Sequence, residues 1–320
     1  MKIRFGYVAM STVLEDCSPS KTTTVKYLSK TESENARYYQ LTKLAKTNLQ
    51  NMQRLFFHNN AHDIKVFRLT SKLIPLATHP IAEKWDWLTA VAAELRTLGD
   101  YAREHNFRIS AHPDHFTLLN SPREEVTRAS VNDLEYHHKV FAGMGFDKAA
   151  KLVIHIGGSY QGKNESIDRF IQNYLKLPSY LQDRLVLEND DKIYTAADVL
   201  QICQQLKVPM VLDIHHHWCH HTGDYSNLDL PAIFATWDNE PLPPKIHISS
   251  PRDGKNFRYH ADYIDSTFLL EFLDKAAAAG RDFDVMIEAK QKDDALFRLM
   301  HDLKNVGRIS MIDQASLQYR

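Results

Sequence analysis

Residues Pro209–His221, PMVLDIHHHWCHH, decide how this chain is read. An apolar run, Met210-Val211-Leu212, stops abruptly at Asp213, and His215, His216, His217, His220 and His221 crowd in behind it. A short apolar run halted by metal-ligating residue types predicts a buried strand that delivers ligands at its C-terminal end, followed by a polar loop. A His-rich loop alone carries little weight. The design recurs, however. Lys151-Leu-Val-Ile-His155, Leu185-Val-Leu-Glu188, Lys245-Ile-His247 and Asp284-Val-Met-Ile-Glu288 each close a short apolar run on His or Glu.

Working outward, the same strand pattern appears at Ile3–Val8, Ile64–Leu69, Phe107–Ala111, Lys151–Ile156, Leu185–Leu187, Lys245–Ile248 and Phe283–Ile287. Helical spacing of apolar residues fills the intervals. Glu32 to Asn59 carries Leu41, Leu44, Ala45, Leu49, Met52, Leu55 and Phe56 on one face, and Trp85–His105 carries Leu88, Val91, Ala92, Leu95 and Leu98. Glu124–Met144, segments between Glu165 and Gln182, Thr195–Lys207, Leu228–Trp237, a helix capped by Asp265 that runs to Ala279, and Asp293–Leu303 complete the series. Alternating strands and helices predict a parallel sheet with helical crossovers, and eight repeats predict closure into a single (β/α)8 TIM barrel. The barrel spans residues 1–303 as the catalytic domain. Residues 304–320 form a tail packed on it or extending from it.

Composition narrows the function classes. A 43% hydrophobic, 25% charged chain of 320 residues supports a substantial core. The formal net charge of -1 announces no nucleic-acid partner, so a polyanion would have to be met by a local patch. Cys17, Cys203 and Cys219 show no CxxC spacing, which predicts free thiols and a cytoplasmic setting. No run reaches the length of a membrane span, and a monomer is the simplest expectation.

In a TIM barrel the chemistry sits at the C-terminal strand ends. Here those ends hold Tyr7, His112, His155, Glu188, Asp213, Lys245 with His247, and Glu288. Histidines with carboxylates and no thiolate set suit Mn²⁺, Zn²⁺ or Co²⁺. Three carboxylates and several histidines exceed the needs of one tetrahedral ion, which predicts two or three. His217, His220 and His221 are expected behind the ligands or facing solvent, and Cys219 is expected as a free loop thiol. Lys245 shares a strand face with His247. It is read as neutral, as pointing at a substrate phosphate, as carboxylated to an anionic ligand, or as a lysine snorkelling at the rim.

A multi-metal mouth serves phosphodiester hydrolysis or sugar isomerisation. Loops on the same face favour a polyanion. Gly157–Lys163 offers Tyr160, Gln161 and Lys163, Ser249–His260 offers Arg252, Lys255 and Arg258, and Lys290 and Lys292 follow Glu288. His115 and Phe116 stand ready to wedge into a base stack.

Together these segments resemble the UV damage endonuclease family over essentially the whole chain. The matching pieces are Ile3-Arg-Phe-Gly-Tyr7, Arg108-Ile-Ser-Ala-His-Pro113, His155-Ile-Gly-Gly158, Leu187-Glu-Asn-Asp190, Asp213-Ile-His-His216, Lys245-Ile-His-Ile-Ser249, His260-Ala-Asp-Tyr263 and Ile287-Glu-Ala-Lys290. The resemblance implies a barrel related to endonuclease IV and up to three ions, commonly Mn²⁺. It implies ligands at His112, His155, Glu188, Asp213, His216, His247, His260 and Glu288, with Lys245 as a carboxylated lysine and His79 near the scissile phosphate. The implied substrate is damaged double-stranded DNA. The implied reaction is a single nick immediately 5′ to a cyclobutane pyrimidine dimer or (6-4) photoproduct, leaving 3′-OH and 5′-phosphate, with abasic sites as further substrates. Tyr7 and the loop after the third strand would touch the distorted duplex. Where some relatives carry a Gln-Tyr lesion probe, this chain has His115-Phe116. The rival readings are an abasic-site endonuclease of endonuclease IV type, a metal-dependent sugar isomerase, a protein that binds lesions without cutting, and a metal-storage protein.

Overall fold

Arg4, Gly6 and Val8 alternate with Ile3, Phe5 and Tyr7 along the first strand, and this period of two governs the architecture. The computed structural model describes residues 1–31 and 33–320. The chain begins with β1 (Lys2–Val8), α1 (Val25–Leu28), α2 (Glu34–Ala61), β2 (Val66–Leu69), α3 (Trp87–Ala90), α4 (Ala92–Glu104), β3 (Arg108–Ala111) and α5 (Glu124–Gly143). It continues through β4 (Lys151–His155), α6 (Lys163–Leu175), α7 (Ser179–Gln182), β5 (Leu185–Glu188), α8 (Ala196–Leu206), β6 (Met210–Asp213), α9 (Ile214–Cys219) and α10 (Leu230–Ala235). It ends with β7 (Lys245–Ile248), α11 (Ser266–Ala277), β8 (Phe283–Ile287), α12 (Lys292–Leu303), β9 (Ile309–Met311) and β10 (Ser316–Tyr319). Among the described residues, β1 to β8 pair in parallel in sequence order, and β1 pairs with both β8 and β2 to close the barrel.

The tail has a defined job at the seam. β2 covers β1 only from Gly6 to Val8. The lower half of β1 would present an open strand edge, whose unpaired N–H and C=O groups are costly. β10 fills it, pairing antiparallel with Lys2–Arg4, and β9 pairs with β10. Gly6 sits at the changeover. A Cβ there would lie 1.9 Å from the Val66 carbonyl oxygen, so no other residue fits this approach.

Inward-facing positions stack in layers, as in other closed parallel barrels. At the bottom, Arg4 and Arg108 both grip the buried Asp284 at 2.6 Å, and the Arg108 guanidinium lies 5.0 Å from the Trp237 ring centre. Above them Val153, Val186 and Val211 pack together, and Lys245 Nζ donates to Ser110 Oγ at 3.0 Å. Two residues further along the same strands come His155, Glu188, Asp213, His247 and, just past the end of β8, Glu288. This middle layer of valines with the Lys245–Ser110 pair is therefore the floor of the mouth.

Several element boundaries differ from the sequence reading for identifiable reasons. The helix expected from Trp85 to His105 breaks at Val91 (φ −123°, ψ 17°) into α3 and α4. Pro178 separates α6 from α7. Glu32, the expected start of the long helix, lies outside the described residues, and α2 begins after the Ser33 cap. The histidine run after β6 is the helix α9 rather than a loop. Asp213 caps it, accepting from the His216 backbone N–H at 2.7 Å. Membrane-length apolar helices are absent among the described residues.

Candidate metal centre

Glu188, buried at the end of β5, is the hub of the mouth. His112, His155 and Glu188 form one group whose ligand atoms lie within 4.8 Å of one another. Glu188, Asp213 and His216 form a second, and Glu188, His247 and Glu288 a third. Glu188 Oε2 faces His112 Nε2 at 3.0 Å and His155 Nε2 at 3.5 Å, while Oε1 faces His247 Nδ1 at 2.7 Å. His247 Nδ1 lies 3.0 Å from Glu288 Oε1. One carboxylate thus touches three potential ion positions.

The histidine tautomers test whether cations fit. His112 Nδ1 donates to the Pro113 carbonyl at 2.9 Å, His216 Nδ1 to Asn189 at 3.0 Å, and His260 Nδ1 to Glu288 at 2.7 Å. His155 Nδ1 lies 3.3 Å from the Glu188 carbonyl. A carbonyl only accepts, so each Nδ1 carries a proton and Nε2 is left as the nitrogen that can ligate, the arrangement of a metal-ligating histidine. The His112 lone pair then points at an anionic oxygen, a geometry that only an intervening cation or an added proton relieves. Asp213 Oδ2 and His247 Nε2 are buried with no hydrogen-bond partner among the described residues. Leaving such atoms bare costs about 1–3 kcal/mol each. The donor set fits divalent cations.

Electrostatics point the same way. Burial would push the Glu188 carboxyl up, but His247, His155 and His112 outweigh it and hold it well below the usual carboxylate range. Burial likewise opposes Arg68 and His247 at Glu288, and they prevail. Burial lowers His216, yet Asp213, Glu188 and Glu288 raise it to about 9. Lys245 is held well below its ordinary value by burial and by Arg108 and Arg68, which favours a neutral amine one layer beneath the cluster.

Expected residues fall into three sets. His112, His155, Glu188, Asp213, His216, His247 and Glu288 converge, and His260 stands beside them, its Nδ1 4.0 Å from Glu288 Oε2. Around the mouth, Arg252, Lys255, Arg258, Lys290, His115 and Phe116 are exposed. Lys163 Nζ is paired with Asp198 at 2.6 Å, Arg258 Nε donates to the Asp191 carbonyl at 3.1 Å, and Gln161 accepts from Arg169 at 3.1 Å. The Tyr160 ring covers Gly158. His79 caps a short turn, with its Nδ1 accepting from Ile81 N–H at 3.1 Å, and it lines a groove of about 340 Å³ together with Lys72, Asp114 and Phe116.

Tyr7 belongs to a third set and is a correction. It is fully buried, donates from its hydroxyl to Asn59 Oδ1 at 2.6 Å, and packs edge-on against Phe67. Its parity on β1 turns it outward onto α2, away from the mouth. Exposing it would forfeit about 1.5–3 kcal/mol of burial and its hydrogen bond. It therefore cannot serve as a DNA contact. Of the two placements expected for His217, behind the ligands or facing solvent, it takes the buried one, and its Nε2 meets the Tyr225 carbonyl at 2.8 Å. Cys219 lies on α9, not in a loop.

Sequence reasoning missed four contributors. Arg68, inward on β2, donates to Glu288. Asn189 exchanges two 2.9 Å hydrogen bonds with the Asp213 backbone and so fixes the end of β6. Ser110 holds Lys245. His215 accepts from Ser249 Oγ at 2.6 Å and donates to the Phe257 carbonyl at 2.7 Å, which pins the 251–260 loop that carries Arg252, Arg258 and His260. Strand parity would have flagged Arg68 and Ser110, because each lies two residues from another inward position.

Comparison with known proteins places these features in a family. The UV-endonuclease UvdE family matches residues 3–320. The UV DNA damage endonuclease of Halalkalibacterium halodurans is 44% identical over 320 residues, covering 100% of this chain and 99% of that protein. The crystal structure of SacUVDE matches with a TM-score of 0.84 at 33% identity, over 95% of this chain and 99% of that one. A D-tagatose 3-epimerase-like protein, with a TM-score of 0.53 at 16% identity over 76% of this chain and 88% of that one, shares the fold alone.

Proposed function

The chain belongs to the UV-endonuclease UvdE family, and from that premise we propose that it nicks DNA immediately 5′ to UV photoproducts by metal-dependent phosphodiester hydrolysis. Its substrates are then double-stranded DNA carrying cyclobutane pyrimidine dimers or (6-4) photoproducts, and its products carry 3′-OH and 5′-phosphate ends. The observation that carries the reading is Glu188, common to three groups of potential ligands. A set of this kind suits a phosphate held across several ions better than it suits a single hydrolytic ion.

Glu188, His112, His155, Asp213, His216, His247, His260 and Glu288 would hold two or three ions, with Mn²⁺ favoured by the histidine–carboxylate set and Zn²⁺ or Co²⁺ as substitutes. Such ions supply Lewis acidity, activating water and neutralising charge on the phosphate oxygens. The chain's own groups do the rest. Lys245, neutral and buried, is in the form that adds CO₂ and gives up a proton to become a carbamate, an anionic ligand beneath the cluster. Arg252, Lys255, Arg258, Lys290 and Lys163 grip backbone phosphates, and Tyr160 and Gln161 line the same rim. His79, His115 and Phe116 share one side of the mouth, where an exposed ring can enter a weakened base stack. Damage lowers the cost of bending and unstacking, which gives selectivity without a base code. The protein acts as a cytoplasmic monomer, with residues 1–303 as its catalytic domain and 304–320 as a tail.

The test is a duplex with one photoproduct at a defined position, incubated with protein and Mn²⁺, with the cut mapped on a sequencing gel. A single cut on the 5′ side whose end primes a polymerase is expected. Cutting only at an abasic site in a parallel duplex would replace this reading with the endonuclease IV type.

A further inference from the structure

Arg68 is an arginine at an inward strand position, where layer packing normally calls for an aliphatic side chain. Val66, two residues earlier on β2, packs against Val8 and Met286 inside the barrel. The same parity carries Arg68 upward into the ligand layer. There one guanidinium nitrogen, Nη1, donates to Glu288 Oε1. The remaining N–H groups make no further hydrogen bond among the described residues, yet none is buried without a partner. The side chain is 15% exposed. One edge of the guanidinium therefore rests on a candidate ligand while the other is open at the mouth.

Charge balance makes that position informative. With cations bound at Glu188, Asp213 and Glu288, the carboxylate charge is satisfied, and a fixed guanidinium at the same spot is repelled. A phosphate entering the mouth would supply a countercharge to its open edge. Arginine suits a two-sided role of this kind, because its planar fork can hold a carboxylate on one edge and a phosphate on the other.

We propose that Arg68 is a catalytic contact that binds a non-bridging oxygen of the phosphodiester with its open edge while keeping Glu288 in place with the other. The inference rests on the endonuclease reading and adds to it a residue that directly contacts substrate. The alternative is that Arg68 only orients Glu288.

The test uses the full chain with Arg68→Met and Arg68→Lys. Three quantities are read: Mn²⁺ bound per chain by electron paramagnetic resonance, the salt dependence of binding to a non-hydrolysable irradiated duplex with Mn²⁺ bound, and the nicking rate with Mn²⁺. Arg68→Met should bind Mn²⁺ as wild type does. Its log Kd against log salt slope should fall by about 0.9, the value for one phosphate contact. Its kcat should fall about 10²–10³-fold, the scale of one lost charge-stabilising donor. Arg68→Lys should restore the slope and only part of the rate. A wild-type slope in Arg68→Met overturns the proposal, and a wild-type slope together with reduced Mn²⁺ assigns Arg68 to Glu288 alone. If Arg68→Met does not fold, Arg68→Gln, which keeps one donor and loses the charge, carries the same comparison. A wild-type protein that leaves irradiated DNA intact defeats the endonuclease reading instead, and the binding slope still reports on Arg68.

Discussion

Glu188 Oε1 and His247 Nδ1 lie 2.7 Å apart at the centre of the barrel mouth. Because Glu188 belongs to all three ligand groups and Asp213 to only one, the two carboxylates should fail differently. Glu188→Gln should lose most bound Mn²⁺ and cut nicking more than about 10³-fold, well beyond a single oxyanion donor. Asp213→Asn should lose one ion and keep the others. Metal stoichiometry by atomic absorption separates them, and equal losses would remove Glu188 from its bridging role.

The basic rim is not uniform. The Arg252 side chain is exposed and unpaired among the described residues, whereas Lys163 already neutralises Asp198 at 2.6 Å. Arg252→Ala should therefore lower the salt slope of DNA binding by about 0.9. Lys163→Ala should lower it less, since the free protein already compensates that charge. Fluorescence anisotropy over a salt series checks both.

Asp293, buried on α12, accepts from Ser11 Oγ and from Thr12 N–H at 2.8 Å and lies 3.1 Å from His58 Nε2. It ties the loop after β1 to the barrel. Burial raises its pKa, but His58, Ser11 and Thr12 outweigh that and depress it. A depressed carboxylate contributes stability that is present above its unfolded pKa, about 3.9, and lost as pH falls through the folded value. Asp293→Asn should cost about 1.5–3 kcal/mol near neutrality, the worth of hydrogen bonds to a charged group. Denaturant melts should show that gap steady down to about pH 5 and shrinking below about pH 4. A gap that does not change with pH would contradict the assignment.

Lys245 Nζ donates to Ser110 Oγ beneath the cluster, and burial favours its neutral form. Protein prepared in ¹³C-bicarbonate should show a carbamate carbon resonance that disappears in Lys245→Met. That variant should fold, because a buried amine gives way to an apolar chain of similar length. A spectrum without the resonance would leave Lys245 as an amine.

The barrel was legible in the sequence because most of its strands announce themselves twice, by an apolar run and by the polar residue at its end. Glu188, Asp213, His247 and Glu288 were found this way. Tyr7 was misplaced by the same rule, because position at a strand end was read without parity. Arg4 and Val8 face in, so Tyr7 faces out. Arg68 escaped because its strand runs on into Leu69, leaving no polar terminus to mark it. The α9 helix was hidden in a histidine run with weak helical propensity, and only the Asp213 cap turns it. The tail gave no strand signal of its own, since β10 is specified by the edge that β1 leaves open.

The most direct measurement takes protein stripped of metal by EDTA and dialysed, and incubates it with UV-irradiated and unirradiated supercoiled plasmid, with and without Mn²⁺. Relaxed circles should appear only with irradiated plasmid and Mn²⁺ together. Nicking that survives metal removal, or that is equal on both plasmids, would contradict the account.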